Sequence, residues 1–105
     1  MKLWVDDIRP APEGYVWCRS VNAAKERILR YSDFLDYDNQ RTDCIELINI
    51  DHDAGDFAFD GGDYIKLLDW LEENGYNYPI HIHSMNPVGV ENMRRIIRRN
   101  KWREV

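Results

Sequence analysis

Three stretches of this chain set side chains fit for acid–base, metal or phosphate chemistry at places where apolar runs end. In LINIDHDAGDF, Leu47 to Phe57, a buried-looking run breaks into Asp51, His52 and Asp53 and is released by Gly55. In KLWVDDIRPAP the run ends in Asp6, Asp7 and Arg9, and in PIHIHSMNP it ends in His81, His83, Ser84 and Asn86. Asp6, Asp7 and Asp51 are hard oxygen donors suited to Mg2+ or Mn2+, and the histidines would suit a softer metal. His52 and His83 can divide the acid and base steps of a phosphoester hydrolysis, with Asp51 and Asp53 beside them. Arg9 can clamp phosphate oxygens through its forked donors. Ser84, Asn86 and Gly62 are the remaining phosphate-binding candidates, Gly62 because the Gly61-Gly62-Asp63 step either begins a helix or admits a close backbone approach.

Each motif also has a plainer reading. Paired acids after a strand often only form a turn. Alternation puts His81 and His83 on one face of their strand, and His81, farther from the tip, reads as a hydrogen-bonded structural histidine. RRIIRR near the end reads as a solvated face with Ile96 and Ile97 on its apolar side, and Trp4, Trp17, Trp70 and Trp102 read as core or edge packing. No nucleophile triad and no P-loop is present.

The elements that must position these residues alternate. Strands are expected at KLWV (Lys2 to Val5), YVWC (Tyr15 to Cys18), CIELINI (Cys44 to Ile50) and PIHIH (Pro79 to His83). Between the second and third, Ser20 can cap a helix with Val21, Ala24, Ile28 and Leu35 on one face. After the third, Ile65, Leu68 and Leu71 form a helical stripe stopped by Gly75. After the fourth, Asn86 can cap and Pro87 suits a first helical turn. Such alternation marks an α/β domain with a parallel sheet. The connection DDIRPAPEGY holds two prolines and a glycine, so a loop replaces the first crossover helix. In open α/β sheets ligands bind beyond the carboxyl ends of the strands, which is where nearly all the unusual polar residues fall.

Composition bounds the rest. The 105 residues fit one domain, 1–105, and 44% hydrophobic with 31% charged residues describes a globular chain. A net charge of −5 argues against coating extended duplex nucleic acid, although a strand end can still be held. Cys18 and Cys44 lack metal-knuckle spacing and read as buried thiols in a reducing cytosol. No apolar stretch approaches the roughly 20 residues that span a bilayer, and no signal peptide precedes the first strand, so the expectation is a cytoplasmic protein without membrane contact.

LWVDD, the acid ending NIDHD and the hydroxyl of IHS together resemble the receiver domain of response regulators. That resemblance implies a flavodoxin-like, three-layer α/β/α fold with four to five strands in the order 2-1-3-4. It also implies Asp6 and Asp7 on a metal, Asp51 as phosphoacceptor and Ser84 on the phosphoryl group. The chain departs from receivers in lacking the first helix and the lysine-proline step, Lys101 being followed by Trp102. VDDIRPAP, DHDAG, GGD and HSMNPVGVENM are instead similar to the receiver-derived family of cyclic-phosphate-processing receiver domains. This resemblance implies a phosphoesterase acting on a cyclic phosphate, with a phosphorylated nucleotide or RNA end as substrate. A phosphoacceptor signalling domain and a nucleotide-binding module without turnover are the alternatives. The histidines favour the enzyme, because phosphoacceptance needs none of them. A phosphoesterase built on two separate HxT or HxS motifs is disfavoured, because only one histidine cluster ends a strand.

Overall fold

A computed structural model describes residues 1–32, 34–35, 41–42 and 44–105. Strand β1 (Lys2–Val5) leads through a loop to β2 (Tyr15–Cys18), followed by α1 (Val21–Tyr31), β3 (Phe34–Leu35), β4 (Arg41–Thr42) and β5 (Leu47–Ile50). A 3-10 turn at Gly55–Phe57 precedes α2 (Ile65–Glu73), β6 (Ile80–Ile82) and α3 (Pro87–Asn100). The main sheet runs β2-β1-β5-β6 with every pair parallel. This is the expected 2-1-3-4 order of the four long-range strands. Beside β6 the last residues add a bridge from Glu104 to Ile80.

Local chemistry explains the helix starts. The Ser20 hydroxyl accepts from the Ala23 amide at 3.0 Å and the Asn86 side chain from the Gly89 amide at 3.0 Å, satisfying donors that a helix leaves open. Gly75, at φ +73°, takes the left-handed turn that stops α2. The helical pattern that extends to Leu35 in the sequence ends earlier. Ser32 caps α1 through its amide on the Ile28 carbonyl, and Phe34–Leu35 pairs antiparallel with Arg41–Thr42. Cys18 is buried as expected, but Cys44, on the segment entering β5, is only half-buried.

Register fixes the faces. Leu3, Val5, Cys18, Ile48, Ile50 and Ile80 point to one side, where Val21, Ala24 and Ile28 of α1, Leu67, Leu68 and Leu71 of α2, and Met93, Ile96 and Ile97 of α3 close over them. Trp17, Trp4, Asn49 and His81 form a row across the other side. No helix among the described residues covers that row. The loop 6–14 crosses its carboxyl end, where the Trp4 indole donates to the Arg9 carbonyl at 2.9 Å. The right-handed crossover rule accounts for the placement: β2 to β5 and β5 to β6 step in one direction, so α1 and α2 share a face.

RRIIRR is a solvated face as read, with Arg94, Arg98 and Arg99 on Glu104, Glu91 and Glu72.

Candidate functional site

At the carboxyl end of β1 the chain turns on Asp6. One carboxylate oxygen accepts from the amides of Ile8 at 2.9 Å and Arg9 at 2.8 Å. The other faces His83 Nε2 at 2.9 Å. Asp6 is 1% exposed. Burial alone would raise its carboxyl, but the Arg9 and Ile8 amides and then His83 outweigh it and leave it below the usual aspartate value. Asp51 stands one strand over, its amide on the Val5 carbonyl and its carboxylate accepting from the His52 amide at 2.7 Å. Asp6, Asp51 and His83 each offer one ligand atom, all within 4.8 Å of one another.

His83 is held on three sides. Its Nδ1 bonds the Asn49 amide oxygen, its Nε2 faces Asp6, and its ring lies on the Trp4 indole at 4.0 Å between centroids and 5° between planes. With Nδ1–H donating to Asn49, Nε2 is the nitrogen left for a metal or proton shared with Asp6. The sequence reading marks Trp4 only as packing and does not mark Asn49 at all. Asn49 had left a signal, as the only polar residue inside LINI.

Asp7 is brought beside this group but not into it. It is buried, with Gly55 folded against it so closely that a Cβ there would lie 2.3 Å from Asp7 Oδ2. Burial, and then the charges of Asp6 and Asp51, push its carboxyl up against the pull of backbone amides. Folding that raises a carboxyl pKa favours its neutral form, so this contribution to stability is complete below the ordinary aspartate value of about 3.9 and is lost as pH rises through the raised one. Asp7→Asn is therefore expected to stabilise the metal-free protein at neutral pH by about 1 kcal/mol, a common return for relieving a buried charge. Thermal melts at pH 7 and below pH 4 check this, because the gain should vanish in acid.

Tyr64, also unmarked in the sequence reading, is fully buried with its hydroxyl donating to the Arg19 carbonyl at 2.8 Å. Burial first, then Asp7, Asp6 and Asp51, push the phenol well above its ordinary value, so it stays a neutral donor. Arg19 donates to the Asp7 carbonyl at 2.7 and 3.1 Å and lies between the rings of Trp17 and Phe57.

His52 turns toward the start of α3 and makes no described contact with His83. Its Nδ1 pairs with Asp53 at 2.9 Å, Asn86 donates to Asp53 at 3.4 Å, and its ring covers Gly89. A Cβ at Gly89 would sit 2.4 Å from His52 Cγ. Glycine costs a helix about 1 kcal/mol relative to alanine, so helix propensity alone makes Gly89→Ala stabilising. We expect instead a loss of about 1–3 kcal/mol, with the His52 ring resonances displaced in NMR spectra, because the ring must move.

Of the phosphate-binding candidates, Arg9 reaches across the strand ends to the His83 carbonyl at 3.3 Å. Ser84 accepts from the Asn86 amide at 3.1 Å, leaving its own proton free to donate. Gly62 is not brought to this group. Its amide donates to the Ala58 carbonyl at 2.8 Å, it sits at φ +89° against Lys66, and the GGD step serves the turn into α2. His81 is hydrogen-bonded as expected, to the Val105 carbonyl at 2.6 Å, but it is half-exposed on the open face of the sheet, so its loss should cost little stability.

The family model described as Cyclic-phosphate processing Receiver domain matches residues 1–99. No curated protein and no solved structure matches the chain.

Proposed function

The chain belongs to the family of cyclic-phosphate processing receiver domains, and on that premise we propose that it hydrolyses a cyclic phosphate of a nucleotide or RNA end at the carboxyl edge of its sheet. The observation that carries the reading is the approach of Asp6, Asp51 and His83 from three neighbouring strand ends. Two carboxylates and an imidazole fit a divalent ion, and the nitrogen donor suits Mn2+ better than Mg2+. These three residues would hold it. When bound, it supplies positive charge to the phosphoryl oxygens and acidity to a coordinated water.

The chain's own groups do the rest. Arg9 neutralises charge that builds on the phosphoryl oxygens, and the Ser84 hydroxyl donates to one of them. Asp53 fixes the tautomer of His52 by accepting from Nδ1–H, which leaves Nε2 to exchange protons with the reacting oxygens. A water oxygen bonds to phosphorus, one ring P–O bond breaks, and the proton lost by the water is balanced by one delivered to the leaving oxygen. The product is a phosphomonoester with a free hydroxyl.

No helix among the described residues is long and apolar enough to cross a membrane. The test is incubation with 2′,3′-cyclic nucleotides in Mn2+, in Mg2+ and in a chelator, following the phosphomonoester. Turnover supported best by Mn2+ is expected. Absence of product with every cyclic substrate, together with uptake of phosphate by Asp51 from acetyl phosphate, would replace the enzyme by a phosphoacceptor domain.

A further inference from the structure

A cavity of about 200 Å3 lies away from the strand-end group, between β2 and α1, lined by Trp17, Cys18, Ala23, Glu26, Arg27 and Arg30. β2 is an edge strand of the sheet. The Cys18 carbonyl accepts from the Asp6 amide on the β1 side, so alternation turns the amide of Trp17 outward to the open edge. Arg27 and Arg30 are one turn apart and share a flank of α1. Neither has a carboxylate partner within ion-pair distance among the described residues. Glu26 leaves the lining with one net positive charge. The helix dipole accounts for Arg30, which stands in the last turn, and does not account for Arg27. Arg27 lies close enough to the buried Cys18 thiol for its charge to oppose the rise that burial imposes there.

We propose that this cavity is a second binding site, for a phosphomonoester, with the phosphate on Arg27 and Arg30 and the organic part against the open edge of β2, where the Trp17 amide faces outward. Two forked guanidinium groups match the oxygens of a terminal phosphate. The volume exceeds the roughly 30 Å3 share of one water severalfold, so the cavity has room for more than a bare ion. The Trp17 indole is engaged elsewhere, donating to the Asp6 carbonyl at 2.7 Å and carrying the Arg19 guanidinium, so the outward amide is the donor that β2 offers a ligand. The site is independent of catalysis at the strand ends.

Calorimetric titration with adenosine 5′-monophosphate, inorganic phosphate and adenosine tests it on the whole chain. Saturable binding of the monophosphate, stronger than that of adenosine, is expected in the native protein and equally in Asp51→Asn. It should weaken at least tenfold in Arg27→Gln/Arg30→Gln, and the Trp17 backbone amide resonance should shift on binding to the native chain. Circular dichroism checks that the double variant folds, with Arg30→Gln alone as the milder version. No saturable binding, binding unchanged in the arginine variants, or binding lost in Asp51→Asn would overturn the proposal, the last because it would put the ligand at the strand ends.

Discussion

Replacing His83 by alanine, or Asp51 by asparagine, should lower hydrolysis of a 2′,3′-cyclic nucleotide by on the order of 100-fold or more, while His81→Ala leaves it within about twofold. The two histidines are two residues apart, His81 within β6 and His83 just past its end, yet their surroundings differ. His83 is fixed by Asn49, Trp4 and Asp6 and contributes one of the three clustered ligand atoms. His81 bonds the Val105 carbonyl and faces solvent. Loss of His83 or Asp51 removes a ligand from the proposed cation site, so Mn2+ affinity measured by calorimetry should fall in parallel with turnover. His52→Ala should behave differently, with a similar fall in turnover but Mn2+ affinity close to native, because the His52 ring pairs with Asp53 and covers Gly89 instead of joining the cluster. Equal turnover in native protein and in His83→Ala would remove the strand-end cluster from the chemistry.

The strand-end rim was legible because apolar runs that stop on acids are hard to explain otherwise. DD after LWV and DHD after LINI announced themselves, and parallel strands then had to bring Asp6 near Asp51. The orientation of the histidines was not legible. That His83 lies on Trp4 depends on β1 and β6 flanking β5 in a particular register, which no local pattern encodes. That His52 turns to α3 depends on the missing side chain at Gly89, which has meaning only once the helix is docked. Gly62 stayed open between two readings for the converse reason. A glycine pair suggests a phosphate loop, but its positive φ is needed for the turn into α2 and its amide is already bonded to Ala58. The end of α1 was missed because Phe34 and Leu35 continue the apolar spacing of the helix while pairing as a strand.

Asp6 holds up the site as well as lining it, and two substitutions should separate those roles. Asp6→Ala leaves the amides of Ile8 and Arg9 without their acceptor and His83 without its partner, in a place almost closed to water. Each orphaned buried group costs about 1 kcal/mol or more, so a loss of about 3 kcal/mol is expected in chemical denaturation, with Arg9 released from the strand ends. Asp6→Asn keeps an oxygen for both amides and should stay within about 1 kcal/mol of native, yet its amide nitrogen cannot replace a carboxylate on a divalent ion. Mn2+ affinity and turnover should therefore collapse in both variants while stability collapses only in the first. Acid supplies a third check. Because the Asp6 carboxyl is lowered by folding, the stability it contributes is complete above the unfolded value of about 3.9 and is lost as pH falls through the lower folded one. Native protein should accordingly lose more stability than Asp6→Asn between pH 4 and lower pH. If the two fall together, or if Asp6→Asn retains native Mn2+ affinity, the Asp6 carboxylate is a turn residue alone and the proposed cation site must be built without it.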